Sequence, residues 1–216
     1  MPYENKFENK SGILLSRKIS GENNLIITLF LKDLGILRVT ANGAQSGTRF
    51  GGKTEPLISG SFHLRLSQRT HGYVLEDVEI FDDMLFLRSR HEALFKAIEW
   101  IKLIKKYLPY ENPDNILLAN LYYSMKLLYE CDIPVDAVNF RFIWRWLYNW
   151  GLAPDFREFF MSKNYFKISE KKTLYYLSKL DVNSTRKLFS NEVIKNLNPR
   201  FYKTASKLII KFLNEK

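Results

Sequence analysis

The hydrophobic period changes once along this 216-residue chain, near Asp83, and that change limits what the chain can fold into. Before it, apolar residues alternate as they do on strands; after it, they recur every three or four positions as they do on helices. Strand-like segments run from Ile13 to Ser20, Asn24 to Asp33, Ile36 to Asn42, Ser61 to Gln68 and Gly72 to Ile80. In FHLRL, Phe62, Leu64 and Leu66 face one way and His63 and Arg65 the other; Leu37, Val39 and Ala41 likewise oppose Arg38 and Thr40. Five short strands suit a small closed barrel, because closure removes the edges that an open sheet exposes. An open sheet packed on the second half is the other arrangement this pattern allows.

Beyond Asp83, Leu94, Ile98, Ile101, Ile104 and Leu108 mark one face of a helix that ends at Pro109. A second helix starts at Pro113 and runs to about Cys131, and a third, VDAVNFRFIWRWLYNW, stops at Gly151 in C-cap position. Shorter helical pieces follow from Ser169 and Asn183. The last helix has Asn198 as N-cap and Pro199 as its first residue. The expected architecture is α+β in two domains, an all-β domain over residues 1–82 and an all-α domain over 83–216.

The stretch GAQSGTRFGG, Gly43 to Gly52, joins the third and fourth strand-like segments and is too rich in glycine to fold by itself. Three roles compete for it: a phosphate-cradling loop, a nucleic-acid-binding loop on a barrel, and an ordinary surface connection. GTRFGGKT, from Gly47 to Thr54, matches the P-loop spelling G-x-x-x-x-G-K-[ST]. A P-loop must open a helix whose N-terminal amides face the phosphates. Here Glu55, Pro56 and strand-like sequence from Leu57 follow instead, so nucleotide hydrolysis is not expected. His63, His71 and His91 lack metal-ligand spacing among themselves or with Cys131. No G-x-S-x-G nucleophile motif occurs, and the adjacent Asp82 and Asp83 suit a solvated turn. Cys131 reads as a small apolar filler at a helix end. No catalysis, cofactor or metal is expected. A single cysteine, a polar N-terminus and the lack of a membrane-length apolar run point to the cytoplasm.

Charge narrows the class of partner. The net charge is +10, and Phe156 to the end carries fourteen basic against five acidic residues. Lys10 to His71 carries nine against three, and five acids between Glu76 and Asp83 separate the two basic regions as a hinge. Two basic regions point to a polyanion, most often nucleic acid. On the barrel the candidate DNA-binding residues are Arg38 and Arg65 from strands, Arg49, Phe50 and Lys53 from the glycine loop, and Arg69 from a later turn. Phe50 either stacks on a base, worth about 1–3 kcal/mol, or pins the loop into the barrel. In the last helix Lys203, Lys207 and Lys211 recur every four residues as one row, a candidate site for DNA or an acidic peptide. Opposite them, Phe201, Ala205, Leu208, Ile209 and Phe212 form the stripe expected to be buried. Trp144, Trp146 and Trp150 with Phe140 and Phe142 read as core, flanked by Arg141 and Arg145.

The stretch from Ser11 to Phe62, SGILLSRKISGENNLIITLFLKDLGILRVTANGAQSGTRFGGKTEPLISGSF, resembles the N-terminal domain of the bacterial RecO recombination mediators. The matching motifs are Gly21-Glu22, Gly35, Gly43-Ala44, Arg49-Phe50 and Pro56, with YNWGLAPDF, Tyr148 to Phe156, in the helical half. The resemblance implies an OB-fold over residues 1–82, a helical domain after it, and binding to single- and double-stranded DNA. It further implies strand annealing, recombinase loading in recombinational repair, a nucleoid-associated location, and two protein partners: a RecR-like protein and the acidic tail of single-strand-binding protein. Arg49 and its basic neighbours would then serve DNA. Many members of that family carry a four-cysteine zinc module after the Gly-x-x-Pro segment, but here no cysteine follows Cys131. The stretch from Arg157 to Lys167 must therefore cohere without metal, through Phe159, Phe160, Tyr165 and Phe166. An adaptor whose basic helical domain docks acidic peptides, with DNA contact incidental, is the competing reading.

Overall fold

The computed structural model describes residues 7–47, 49–67, 72–130, 132–162 and 164–215. Five strands, β1 (Phe7–Ser20), β2 (Asn24–Leu31), β3 (Gly35–Ala41), β4 (Ser59–Leu66) and β5 (Tyr73–Asp82), close into a barrel in the order β1-β2-β3-β5-β4. Neighbours are antiparallel except β3 and β5, whose parallel pairing of Val39 with Tyr73 and Thr40 with Val74 shuts the ring. The closed arrangement expected from the strand pattern is the one formed. The five acids expected as a hinge are instead on β5 or at its end, a strand of the barrel wall.

Closure depends on β1. Its first half, Phe7 to Ile13, pairs with β4, and Gly12 to Ser20 pairs with β2. The polar stretch FENKSG therefore extends β1 beyond the apolar run that marks it in the sequence, because β4 supplies its ladder. Gly12 belongs to both ladders. A Cβ there would lie 2.3 Å from the carbonyl oxygen of Phe30, and one on its cross-strand partner Gly60 would lie 2.3 Å from that of Glu79. Side chains are excluded at both positions by backbone rather than by movable groups.

The barrel interior follows the alternation. Leu25, Ile27, Leu29 and Leu31 of β2, Leu37, Val39 and Ala41 of β3, and Phe62 and Leu64 of β4 point inward, each large side chain contributing about 1.5–3 kcal/mol. Phe30 and Ile36 are buried as well, although they alternate with this inner set. The chain divides into two compact units, and the first adds Ile98–Tyr122 to the described residues up to Ser89. Within that unit Lys105 Nζ donates to Ser16 Oγ at 2.9 Å, and Glu111 N–H donates to the Ile36 carbonyl at 3.0 Å. Asn115 and Asp33 exchange hydrogen bonds at 2.6 and 2.9 Å, and Gly35 sits where a Cβ would meet the Asn112 carbonyl oxygen at 2.4 Å.

The helices are α1 (Leu85–Arg88), α2 (His91–Tyr107), α3 (Asn115–Tyr129), α4 (Val135–Asn149), α5 (Ile168–Lys179), α6 (Val182–Phe189), α7 (Glu192–Lys195) and α8 (Arg200–Asn214), with a π-helical turn at Arg157–Met161. Sequence signals set several of their ends. Asp82 and Asp83 accept the amides of Met84 and Leu85 to open α1, the turn role expected of them. Gly151, at φ 69°, ends α4 in the left-handed conformation that glycine adopts without strain. Asn198 accepts the Arg200 amide at 3.0 Å where α8 begins.

The second unit comprises Arg90–Ala97 and the described residues from Tyr123 onward. There α4 is buried almost all round and packs against α5 and α8. On α8, Phe201, Ala205 and Ile209 are buried as expected, with Leu208 and Phe212 half-buried. After α4 the rings of Phe156, Phe160 and Phe166 join Phe140 and Trp144, with neighbouring centroids 5.1 to 5.8 Å apart. Phe159 joins the cluster 4.9 Å from Phe160, but Tyr165 is 72% exposed and adds nothing to it, contrary to expectation. These residues do not fit a zinc module: the side chains that pack the segment are hydrocarbon rings, and among the described residues no three His, Cys, Asp or Glu side chains gather as metal ligands.

Two stability tests follow. Gly12→Ala should cost about 2–3 kcal/mol by forcing the β1–β2 ladder apart, read as a lowered urea midpoint; an unchanged midpoint contradicts the close approach. Phe160→Ala should cost about 3–5 kcal/mol, while EDTA should leave the wild-type Tm where it is.

Candidate nucleic-acid interface

The glycine loop links β3 to β4 and is a built structure. Gly43, Gly47, Gly51 and Gly52 have φ between 53° and 84°, a region costly for other residues. Its first half is tied to the β1–β2 turn: Gly43 N–H donates to Asn24 Oδ1 at 3.0 Å and Gln45 N–H to the Asn23 carbonyl at 3.2 Å. Phe50, only 3% exposed, lies in the barrel core, so of its two expected roles it performs the pinning one. Its ring offers no free face for a base, which corrects its place among the DNA-contacting candidates. No helix follows Thr54; the chain passes through Leu57, whose amide donates to Leu14, into β4, so the P-loop spelling has no P-loop geometry.

Arg49, Lys53 and Arg65 come together over two carboxylates of β5. Arg49 Nη2 lies 3.1 Å from Glu76 Oε2, and Arg65 Nε lies 2.7 Å from Glu76 Oε1. A single carboxylate thus receives two guanidinium groups, one on each oxygen. Arg49 Nη1 also donates to the Asn42 carbonyl at 3.2 Å, and its Cζ stands 5.2 Å from the Phe50 ring centroid. Beside them Lys53 Nζ is 3.5 Å from Asp77 Oδ1. The Asp77 carboxyl is held below the usual carboxylate range, first by the amide of Val78, which donates at 2.7 Å, and further by Lys53.

Glu76 occupies this position because β5 bulges. His63 pairs with Asp77 and Leu64 with Leu75, so Glu76 is the extra residue on its strand. A bulge re-aims a side chain, and this one lets Leu75 and Val78, three apart, both enter the core. That spacing of three inside an alternating strand is the sequence signal that would have exposed Glu76, which was not among the candidate residues.

The other candidates lie elsewhere. Arg38 is exposed on β3, where its Nε donates to Tyr110 Oη at 3.3 Å and its Cζ sits 4.9 Å from that ring's centroid. Arg69 lies outside the described residues, as do His71 and Cys131. Lys203, Lys207 and Lys211 form an exposed row on α8 in the second unit, and Lys211 reaches Glu215 at 3.8 Å. Arg141 and Arg145 serve structure: Arg145 Nη1 donates to the Leu180 carbonyl at 2.9 Å, and Arg141 Nη2 does so at 3.4 Å. Cations placed there complement the carbonyl end of α5. Burial, then Arg145, brings Arg141 down to about 10, so it stays charged at neutral pH.

A cavity of about 570 Å³ opens on the first unit where the glycine loop meets the β1–β2 hairpin. Arg17, Lys18, Ile19, Leu25, Ala44 and Gln45 line it. Arg17 is paired with Glu55 at 2.6 Å.

Comparison with known proteins gives this geometry its family. Residues 6–84 match the family described as Recombination protein O N terminal. The chain is similar to DNA repair protein RecO of Bacillus velezensis, 31% identical over 148 residues, covering 67% of this chain and 56% of the relative. It is also similar to the same-named proteins of Bacillus subtilis, 30% identical with the same coverage, and of an Exiguobacterium species, 23% identical over 145 residues. The matched stretch thus spans little more than half the length of these relatives. A barrel domain and a continuing match well past it have the same source: the chain belongs to the RecO family.

Proposed function

We propose that this chain acts in DNA repair and recombination as a non-catalytic mediator that binds and anneals single-stranded DNA and assists recombinase loading. The observation that supports this most is the convergence of Arg49 and Arg65 on the one carboxylate of Glu76. Two guanidinium forks aimed at one point form an anion seat, and a backbone phosphate has the oxygens to replace the carboxylate. Displacement is affordable on energetic grounds, since partly exposed ion pairs are worth about 0–1 kcal/mol each. Lys53, beside them on Asp77, adds a third cation to the same surface, and the exposed Arg38, held against Tyr110, is a separate candidate contact. The names of the relatives support DNA repair as the setting. A RecR-like partner and the acidic tail of single-strand-binding protein are the protein partners in this reading.

Titration of a labelled single strand and its duplex at several salt concentrations tests the proposal. With about six phosphate contacts, log affinity should fall against log salt with a slope of about −5. Arg49→Ala and Arg65→Ala should each weaken binding and make the slope shallower by about 1. Glu76→Gln should tighten binding several-fold, because it releases both arginines from an internal competitor worth about 1 kcal/mol. Binding that is absent, or indifferent to all three changes, would remove the barrel from the reading.

The exposed lysine row of α8 favours the adaptor as second reading: no acid but Glu215 is paired with it among the described residues. Changing Lys203, Lys207 and Lys211 together to Glu should abolish capture of an acidic peptide, measured by calorimetry. Unchanged capture dismisses the adaptor.

A further inference from the structure

The second unit displays aromatic rings that stay about half exposed after its own packing. Helix α5 buries Lys171, Thr173, Leu174, Leu177 and Ser178 and leaves Ile168, Lys172, Tyr175, Tyr176 and Lys179 exposed. Those five fall at i, i+4, i+7, i+8 and i+11, the spacing of one helical face. Tyr175 is 45% exposed and Tyr176 50%. Lys179 extends the face to the end of α4, where its Nζ stands 4.8 Å from the ring centroid of Tyr148, itself 59% exposed. The single acid of α5, Glu170, is turned to the helix start, where it accepts the Lys167 amide at 2.7 Å. The face is therefore cationic and aromatic with no carboxylate of its own helix on it.

Two of the rings are held in place. Tyr175 meets the buried Phe156 edge to face at 5.4 Å, and Tyr176 meets Tyr175 at 6.2 Å. Rings fixed from below and open above can stack on a ligand with little loss of their own freedom. We infer that Tyr148, Tyr175 and Tyr176, with Lys172 and Lys179, form a binding platform for single-stranded nucleic acid, distinct from the arginine seat on the barrel. The pairing of ring faces with lysines is what favours this occupant. A single strand offers unpaired bases to the tyrosines and phosphates to the lysines at once. An acidic peptide would use the lysines alone, and a duplex keeps its bases stacked on each other. The inference rests on the DNA-binding reading and adds to it the strand state recognised and a second place of contact.

The test uses the full chain with labelled oligo(dT) and a duplex of equal length. Tyr176→Ala and Tyr148→Ala should each weaken oligo(dT) binding by about 5-fold to 150-fold, the range for loss of one stacked base, and leave duplex binding unchanged. Tyr176→Phe should bind as wild type, because stacking needs the ring and not the hydroxyl. Lys172→Ala with Lys179→Ala should make the oligo(dT) salt slope shallower by about 1–2. Thermal unfolding of each variant separates lost binding from lost fold; Tyr175 is left intact because it touches Phe156. If wild type binds oligo(dT) and Arg49→Ala weakens it while the tyrosine variants do not, the platform is refuted and the barrel seat stands. If wild type binds no DNA, both fail together. If a Glu-rich peptide binds wild type and its affinity drops with the lysine changes while oligo(dT) affinity does not, the face is a peptide site and the inference is overturned.

Discussion

Everything on the barrel depends on one strand pairing with two partners. β1 gives its first half to β4 and its second half to β2, and the ladders overlap at Gly12 and Ile13. Without a residue small enough to let the Phe30 carbonyl approach, β1 would serve one neighbour and leave the other with a bare edge. Gly60, opposite Gly12 on β4, makes the same room on its other side for the Glu79 carbonyl of β5. Closure then fixes where the β3–β4 connection must run, and the glycine loop is that connection. Its anchors on Asn23 and Asn24 come from the hairpin that β1 and β2 make. The position of Arg49 is thus inherited from the double pairing of β1.

The electrostatics of the barrel differ from what its composition implies. Counted along the sequence, the region up to His71 looks strongly basic. Folded, Arg49, Arg65 and Lys53 sit against Glu76 and Asp77, so much of their charge is answered locally. Such pairs are weak individually in water-exposed settings. Their effect is therefore to hold arginines in a defined geometry while remaining easy to displace. In the proposed reading a polyanion would meet pre-oriented guanidinium groups and compete with a carboxylate, which would favour exchange over permanent attachment. For a protein proposed to handle a strand and then hand it on, that balance is useful.

The sequence made the architecture legible because the change of period is strong. Alternation identified the inward residues of β3 and, apart from the half-buried Leu66, of β4, and Gly151 and Asn198 marked helix ends through backbone chemistry that depends on neighbours only a few residues away. What it hid has a common physical cause: partners distant along the chain. The polar FENKSG became strand only because β4 lies alongside it. Glu76 became the junction of the basic site through a bulge in β5, and the buried, outward-facing Phe30 and Ile36 read as an ordinary sheet face until Ile98–Tyr122 is placed in the same unit. Phe50 was open between two roles because a phenylalanine after an arginine in a glycine loop looks the same whether its ring turns in or out.

The aromatic cluster after α4 connects packing to surface in the second unit. A four-cysteine zinc site would hold this segment by a few strong, directional bonds. Here Phe156, Phe160 and Phe166 hold it by many weak contacts, which require the rings to fit one another and α4. Rings within 7 Å in edge-to-face arrangement each add about 0.5–1.5 kcal/mol beyond their buried area. The chain of contact does not stop at the surface, because Phe156 also abuts Tyr175. Cohesion through rings thus has a consequence that a closed metal site would not have. The same ring that seals the interior sets the angle of a ring exposed to solvent, so the cohesion of this segment and the shape of the α5 face are determined together.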